Sequence, residues 1–426
     1  MNLESTSFLT PAPAGPPAVA TFVPPAATAE PATLVQSDDN VAVGYLRAVV
    51  TVLVLAHHAV LAYNPYGPAA PPTALNGPNQ WWRAFPVIDS RRWAGFSLFN
   101  SFNDMFFMAL MFLLSGLFVQ SSLRRKGSGT FLRDRALRLG VPFVVAAGLV
   151  APLAYYPAYL QSGGTQGFAG FWRQWRALDG WPAGPAWFLW VLLAFAAVAA
   201  GLYRWSPRWG ESLGRLSSRA KERPLAFFAL LVGVSAAVYV PMEIAFNGMA
   251  WAAFGPFTFQ TSRLFFYFAY FLAGVGVGAF GLQRGLLAPD GRLARRWLRW
   301  LVAALVVFAL ALTVIVVAIT AGPGAKGWEI GGDLAFVVCC ATSGFAFLAL
   351  FTRFARRRSR IFDSLRDNAY GMYLLHYAFA SWLQLALLAA PFPALVKGTL
   401  AFLGTVALSW ASTAALRRVP GVARVL

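Results

Sequence analysis

The chain has 426 residues, of which 58% are hydrophobic and only 12% are charged. A soluble protein of this length would need roughly a quarter charged residues, so this composition excludes a soluble globular protein. The formal net charge of +19 would suggest nucleic acid in a soluble protein. Between membrane spans such an excess reports orientation instead, and no nucleic-acid partner is predicted.

Residues 1–40 precede the first apolar block and contain seven prolines but no Lys or Arg. This composition is typical of a disordered tail. A secretory signal peptide would need a basic amino-terminal region, so the apolar block that begins near Val41 is predicted to be retained as a span.

Ten apolar blocks have about the length that crosses a bilayer as a helix. They begin near residues 41, 104, 136, 185, 225, 261, 298, 331, 369 and 395. The even-numbered connections and the carboxyl-terminal tail hold 26 of the 35 Lys and Arg residues, whereas the odd-numbered connections hold eight. Because short cytoplasmic loops carry the basic bias, both termini are predicted to face the cytoplasm. The sequence therefore predicts an all-α polytopic bundle over residues 41–416 and a short basic tail at 417–426.

Tryptophan is concentrated in the first two outer connections of this topology. The residues are Trp81, Trp82, Trp93, Trp172, Trp175 and Trp181. Such residues form the interfacial aromatic belt of membrane proteins, and they also stack on the apolar faces of sugar rings. Both interpretations stay open at this stage.

The chain has two cysteines, Cys339 and Cys340, which are adjacent and lie inside an apolar run. Neither a disulfide framework nor a zinc site can be built from this pair. No metal site is predicted.

The three histidines, His57, His58 and His376, lie within or at the edges of predicted spans. An ionisable side chain at membrane depth is costly unless it faces the bundle interior or a water-filled cavity. Histidine is also the side chain best suited to proton exchange near neutral pH. Each is therefore a functional candidate, and helix packing through a hydrogen bond across the bundle is the alternative.

Arg47 and His58 are eleven residues apart in the first span. At about 100° per residue they fall within about 20° of each other and roughly 16 Å apart along the helix, whereas His57 points about 80° away from Arg47. A cation near the cytoplasmic end and a base deeper on the same face suit an anionic donor that enters from the cytoplasm. Snorkelling of Arg47 to lipid headgroups would also explain its position.

Five short motifs follow one another along the spans. They are Arg47 with ten residues before His58, the aromatic-to-Ser-Gly run Phe106–Gly116, Arg135–Pro142, Trp187–Leu189 and Tyr370–His376. Their order and spacing resemble acyltransferase family 3, a family of integral membrane acyltransferases. The resemblance covers about residues 41–416.

This resemblance implies transfer of an acyl group from a cytoplasmic acyl-CoA to a hydroxyl group of a carbohydrate or lipid-linked glycan, in a bacterial inner membrane. Acyl-CoA would be a co-substrate, and no permanently bound cofactor is implied. The long, Trp-rich first outer connection resembles the glucan-modifying branch, which includes a succinyltransferase. Two departures are visible, since Ala186 stands where many members have histidine and no hydrolase-like domain follows the last span.

The resemblance also implies roles for individual residues in the reaction. His58 is the candidate base or transient acyl carrier, and His57 is the second candidate. Arg47, Arg135 and Arg138 are the candidates for binding the donor's phosphates, and the last two share a face if their segment is helical.

Four further residues complete the candidate site. Asp104 begins the predicted second span at its outer end and is the candidate to orient His58, as a carboxylate orients the base of a hydrolytic triad. His376 is expected to support the site through a hydrogen bond. Tyr373, one turn before His376, and Trp187 are expected to support it as well.

A transporter or flippase is the alternative, because buried His, Arg and Asp residues would equally suit a path for a polar solute. Transporters often have paired, Gly- or Pro-interrupted spans in two related halves. No such pairing is visible, although Gly274, Gly276 and Gly278 are predicted to loosen the sixth span.

Overall fold

The computed structural model describes residues 40–77, 80–248, 250–322 and 324–425. Apart from Asn40, the predicted disordered tail lies outside the described residues. The helices are α1 (Val41–Ala59), α2 (Ala94–Gly116), α3 (Val119–Arg135), α4 (Val141–Val145), α5 (Ala151–Gln161), α6 (Gly167–Arg176), α7 (Trp187–Trp205), α8 (Trp209–Ser217), α9 (Pro224–Phe246), α10 (Leu264–Phe280), α11 (Arg292–Arg295), α12 (Trp297–Ala321), α13 (Lys326–Phe354), α14 (Arg360–Ala386) and α15 (Ala394–Leu416). An antiparallel hairpin of β1 (Trp251–Phe254) and β2 (Phe257–Gln260) precedes α10, with Trp251 opposite Gln260.

Eight helical segments of the described residues are long and apolar enough to cross a membrane. They are Val41–Ala59, Ala94–Gly116, Val119–Gln161, Gly184–Trp205, Pro224–Phe246, Trp297–Ala321, Lys326–Phe354 and Ala394–Leu416. The sixth and ninth predicted spans are also helices, but α10 has only 17 residues and the first two turns of α14 carry four charged residues. The predicted all-α membrane bundle is confirmed.

The second span begins earlier than the sequence predicts, at Ala94 rather than near residue 104. Ser97, Asn100 and Asn103 lower the hydropathy of the first turns, yet all three are buried in the protein. Hydropathy therefore places the start of this helix too late. As a consequence, Asp104 lies near the middle of α2 and not at its beginning.

The basic segment after α2 is helical rather than a loop. α3 is interrupted at Gly127, whose φ of +73° lies in the region that glycine adopts readily. The helix then continues through two π-helical turns, Ala136–Gly140 and Ala146–Val150. Each turn is followed two residues later by a proline, which cannot donate the usual backbone hydrogen bond, and the wider π turn absorbs that defect.

α1 lies inside the bundle, where it packs against α2, α13, α14 and α15. Its buried apolar residues include Leu46, Val50 and Val54. Because its neighbours surround it, the polar side chains of α1 face protein instead of lipid, which is the condition under which a membrane helix tolerates them.

α2 and α10 approach each other closely through glycines of α10. A Cβ atom at Gly274 would lie 2.0 Å from the carbonyl oxygen of Leu113, and one at Gly278 would lie 1.8 Å from that of Leu117. Small residues four apart allow membrane helices to pack backbone to backbone. The prediction that these glycines loosen the span is wrong, because α10 is a continuous helix packed against α2.

The first outer connection is fixed to the bundle by a buried ion pair. Lys397 Nζ of α15 lies 2.7 Å from Asp89 Oδ2, and the two side chains are 1% and 2% exposed. Lys397 also donates to the carbonyl oxygen of Leu388 at 2.9 Å, and the remaining carboxylate oxygen of Asp89 accepts from the amide of Arg91 at 2.7 Å. All strong polar groups of this pair are therefore bonded within the protein.

Of the six outer tryptophans, two are buried, two are exposed, and Trp172 and Trp181 are half-buried. Trp82 and Trp175 are fully buried, and both rings contact Tyr155. Trp81 and Trp93 are exposed. Trp82 and Trp175 thus belong to neither an aromatic belt nor an exposed stacking surface.

Candidate functional site

The structure brings the three histidines together, His57 and His58 of α1 with rings 5.2 Å apart and His376 of α14 bonded to His58. His376 Nε2 lies 3.3 Å from His58 Nδ1, and the two rings are 5.0 Å apart. His58 Nδ1 also lies 2.8 Å from the carbonyl oxygen of Val54. On the other side of the pair, His376 Nδ1 lies 2.6 Å from the carbonyl oxygen of Tyr373.

These contacts determine which ring nitrogen of His58 can act as a base. A carbonyl oxygen only accepts hydrogen bonds, so His376 Nδ1 carries its proton toward Tyr373 and its Nε2 is an acceptor. His58 Nδ1 must then carry the proton that is shared between Val54 and His376. The lone pair of His58 is left on Nε2, which makes no hydrogen bond to any residue that the structure describes.

The end of α1 that carries His58 is held by two residues of α14 that the sequence reasoning missed. Gln384, 2% exposed, donates to the carbonyl oxygens of His58 and Ala59 at 2.8 and 2.9 Å. The ring of Tyr377 meets the His58 ring edge-on, at 5.1 Å and 84°. Gln384 lies eight residues after His376, so a polar face on the ninth predicted span was the available signal.

The two other supporting candidates occupy different places. Tyr373 contacts His376 through its carbonyl oxygen, and its hydroxyl donates to the carbonyl oxygen of Pro185, at the start of the α7 segment. Trp187 contacts Tyr267 and Trp251, with ring separations of 5.8 and 5.7 Å. The structure therefore joins Tyr373 to the histidine pair and places Trp187 beside α10 and the hairpin.

His57 and Asp104 belong to a neighbouring polar cluster, together with Arg263, which precedes α10. The His57 ring stacks on Phe107 at 5.4 Å, and its Nδ1 is buried without a hydrogen bond to any described residue. Asp104 Oδ2 lies 3.0 Å from Arg263 Nη1, and the carboxylate is within electrostatic range of His57.

The expectation that Asp104 orients His58 is not met. Among the described residues no hydrogen bond or ion pair joins the two, and Nδ1 of His58 is occupied by Val54 and His376 instead. Asp104 is within electrostatic range of His57 instead. Arg263, one of the eight basic residues of the odd-numbered connections, is the partner of Asp104.

The three candidate arginines for donor binding lie near one another. Arg135 interacts electrostatically with both Arg47 and Arg138. The guanidinium of Arg47 lies 5.6 Å from the centre of the Phe118 ring, and that of Arg135 lies 5.2 Å from the centre of the Phe131 ring. Within the described ranges, neither Arg47 nor Arg135 forms an ion pair with a carboxylate. The cluster therefore carries excess positive charge.

Arg135 and Arg138 do not share a face in the way an α-helix would place them. Arg135 ends α3 and Arg138 lies inside the π-helical turn Ala136–Gly140, whose longer hydrogen-bond spacing changes the angle between residues three apart. Arg135 is half-buried whereas Arg138 is exposed. The hydroxyl of Tyr370 of α14 donates to the carbonyl oxygen of Arg138, which links the basic segment to the helix of His376.

In the part of the chain that the structure describes, no three residues among His, Cys, Asp and Glu are grouped to hold a metal ion. The polar groups available for chemistry are the imidazoles, the guanidinium groups and the carboxylate of Asp104.

The bundle is that of an integral membrane protein with ionisable groups gathered inside it, and comparison with known sequences gives its class. Residues 40–414 match the sequence model of the acyltransferase domain of acyltransferase family 3. The chain belongs to this family and is a membrane acyltransferase. No curated protein and no solved structure matches it significantly.

Proposed function

We propose that the protein is an O-acyltransferase that moves an acyl group from cytoplasmic acyl-CoA to a hydroxyl group of a carbohydrate or lipid-linked glycan, with His58 as its base. The observation that carries this proposal is the bonding of the His58 ring. Nδ1 is held by Val54 and His376, so the free lone pair is on Nε2. A neutral imidazole with one nitrogen fixed and the other free is the form a general base requires.

The proposed reaction needs only the two substrates and His58. Nε2 takes the proton of the acceptor hydroxyl while its oxygen attacks the thioester carbonyl. The carbon–sulfur bond breaks, and the imidazolium returns the proton to the CoA thiolate. No permanently bound cofactor takes part.

We further propose that Arg47, Arg135 and Arg138 bind the phosphates of CoA. The proximity of Arg47 and Arg135 without an ion-paired carboxylate supports this role, because like charges are held together at a cost that a polyanion relieves. Guanidinium groups also present a planar fork of donors that fits phosphate oxygens.

The acceptor is proposed to be a glycan at the outer side of a bacterial inner membrane. Membership of the glucan-modifying branch belongs to the same proposal, and the exposed rings of Trp81 and Trp93 in the first outer connection support it. Aromatic rings of this kind give sugar rings an apolar surface on which to stack.

The test is transfer of radiolabelled acyl groups from acetyl-CoA and succinyl-CoA to a crude glycan fraction by purified protein. General-base catalysis contributes about 10²- to 10⁴-fold, so His58→Ala should lose label transfer by that factor. His57→Ala is tested alongside, because it removes the adjacent ring without touching the Val54 and His376 contacts, and a loss confined to this variant would assign the base to His57 instead. Near wild-type transfer by His58→Ala would refute the role of His58.

The same experiment separates the transporter alternative and the covalent version of the mechanism. A transporter would move an unmodified solute and transfer no label. If His58 carries the acyl group, quenching with cold denaturant near neutral pH, where an acyl-imidazole survives longer than in acid, should leave label on the protein before acceptor is added, and His58→Ala should abolish it. A general base leaves the quenched protein unlabelled.

A further inference from the structure

Asp104 is half-exposed although it lies inside the bundle. Its side chain is 52% exposed, yet the carboxylate is within electrostatic range of His57 on α1 and Cys340 on α13, and it bonds Arg263 at the start of α10. Helices therefore flank it on three sides. Only Oδ2 of the carboxylate is bonded, and Oδ1 makes no hydrogen bond to any residue that the structure describes, so it keeps its capacity to accept one.

Buried polar groups without partners lie beside this carboxylate. Asn100 and Asn103 are 5% and 0% exposed, and neither amide makes a hydrogen bond to any described residue. Nε of Arg263 is likewise buried and unbonded within that part of the chain. Buried amides and guanidinium groups are normally satisfied, so groups of this kind indicate a place for a polar ligand or ordered water.

The positions of these groups on α2 form one polar face. Asn100 and Asp104 are four residues apart, and Asn100 and Asn103 are three apart, so helical geometry places them together. The face continues toward the outer end of the helix through Ser97, whose hydroxyl donates to Asn64 at 2.7 Å. A polar path thus leads from the outer connection toward His57.

We infer that Asn100, Asn103, Asp104 and Arg263 form the binding site for the acceptor, and that the site selects a neutral, polyhydroxylated ligand. The inference rests on the proposed function and adds to it the residues that bind the acceptor and the charge that they select. Carboxylate and amide oxygens accept from sugar hydroxyl groups, and the amide and guanidinium N–H groups donate to them. A neutral sugar satisfies both kinds of group at once.

Charge balance is what favours a neutral acceptor over an acidic one. The carboxylate of Asp104 and the guanidinium of Arg263 neutralise each other at 3.0 Å, and Arg263 is only 12% exposed. An anionic sugar would therefore meet the open face of a carboxylate and find no free cation. This is the reverse of the arginine cluster proposed for the donor, where the positive charge is unbalanced.

Aromatic side chains border the same cluster. Tyr267, one turn after Arg263, interacts with that guanidinium and contacts Trp187. Trp187 in turn meets Trp251 of the hairpin, and half of the Trp251 side chain is exposed. Aromatic faces beside hydroxyl-binding groups suit a sugar ring, which has both polar edges and apolar faces.

The experiment measures CoA release by the purified full-length protein from acetyl-CoA or succinyl-CoA, with and without neutral glucose oligosaccharides. Oligogalacturonides of the same lengths serve as acidic probes. Release without sugar reports hydrolysis of the donor, which does not use the acceptor site. It also shows that each variant is folded and binds donor.

We expect neutral oligosaccharides to accelerate CoA release and acidic ones to leave it at the hydrolytic rate. Asp104→Asn should raise the KM for oligosaccharide about tenfold or more, because hydrogen bonds to charged groups are the stronger kind. Asn100→Ala should raise it about fivefold. Neither variant should change the KM for the donor. Asp290→Asn is the matched control, since it alters an ion pair with Lys221 on another part of the chain and should change nothing.

Other results would overturn the assignment. These are an unchanged oligosaccharide KM in Asp104→Asn, a loss confined to kcat, or a preference for acidic sugars. Donor hydrolysis that no neutral oligosaccharide accelerates would also overturn it, while leaving the acyltransferase mechanism at His58 intact. If the wild type releases no CoA from either donor, the proposed function itself fails.

Discussion

Two ion pairs each join a basic side chain to an aspartate. One includes Asp89 of the first outer connection, and the other includes Asp104 of α2. Lys397 and Asp89 are 1% and 2% exposed, and further hydrogen bonds occupy the ammonium and the carboxylate. Asp104 and Arg263 are at a comparable distance, but Asp104 is 52% exposed and Nε of Arg263 has no bond among the described residues. We call Lys397–Asp89 the sealed pair, because protein groups occupy its polar atoms. We call Asp104–Arg263 the open pair, because it keeps polar atoms that no described residue bonds.

The difference separates a structural role from a binding role. A sealed pair has no capacity left for a ligand, and it joins the loop of Asp89 to the helix of Lys397. A pair with an open carboxylate, next to unbonded amides, keeps that capacity. The sealed pair should therefore matter for stability and the open pair for substrate affinity.

Breaking the sealed pair should give the largest loss of stability. Lys397→Met leaves Asp89 buried without its cation, and removal of one partner of a buried pair costs about 3–5 kcal/mol. The measurement is the free energy of unfolding, or the midpoint of thermal unfolding, of detergent-solubilised protein. A midpoint equal to that of the wild type would show that this pair is not structural.

The double variant Asp89→Asn with Lys397→Met is the control for that result. Asn keeps the acceptor for the amide of Arg91 and removes the uncompensated charge. We expect it to recover part of the lost stability relative to Lys397→Met alone. A further loss in the double variant would mean that the two residues act independently.

The fold was predictable from the sequence where apolar length decides, and less so where polar residues are buried. Ten apolar blocks correspond to helices because a membrane span must satisfy its own backbone hydrogen bonds. The first turns of α2 were not predicted, because Asn100 and Asn103 lower the hydropathy of this stretch although both side chains are buried in the protein. The two π-helical turns were not predicted, because hydropathy carries no information on local hydrogen-bond spacing.

The excess positive charge of the arginine cluster should lower the KM for acyl-CoA, so removing one guanidinium should raise it. Arg135→Ala removes a guanidinium that interacts with Arg47 and Arg138 and should raise the KM for acyl-CoA by about 10- to 100-fold, the value of a charge-assisted bond to phosphate. The measurement is donor KM in the CoA-release assay. The KM for acyl-CoA of Arg135→Lys should lie between those of the wild type and Arg135→Ala, because lysine keeps the charge but loses the planar set of donors.

Arg133→Ala is the matched control for the arginine cluster, since Arg133 is exposed on the same helix. It should leave the KM for acyl-CoA unchanged. Equal effects of the two alanine variants would mean that the basic segment acts only through its overall charge or its orientation in the membrane.

The candidate site was predictable in its residue types but not in its pairings. Apolar length correctly put Arg47 and His58 in one span, and the motif in the ninth predicted span includes His376. The partner of His58 could not be read from spacing, because His376 lies 318 residues away along the chain. The same holds for Asp104 and Arg263, which are 159 residues apart and meet only through the packing of α2 on α10.

Breaking the open pair should cost little stability. In Asp104→Asn the half-exposed carboxylate loses one charge, and Arg263 keeps an oxygen acceptor and the ring of Phe336, which lies 4.7 Å from its guanidinium carbon. We expect a loss of about 1–2 kcal/mol, below that of Lys397→Met because Asp104 is 52% exposed, measured under the conditions used for Lys397→Met. A loss as large as that of Lys397→Met would move this pair to the structural class.

The surface pair of Lys221 and Asp290 should give the smallest effect and tests whether burial is the deciding variable. Its atoms are 2.7 Å apart, the same distance as in the sealed pair, but the side chains are 33% and 71% exposed. Exposed pairs contribute about 0–1 kcal/mol because water and salt screen them, so Lys221→Met should unfold close to the wild-type temperature. If it cost as much as Lys397→Met, distance and not enclosure would set the strength of these pairs, and the contrast between a sealed and an open pair would lose its physical basis.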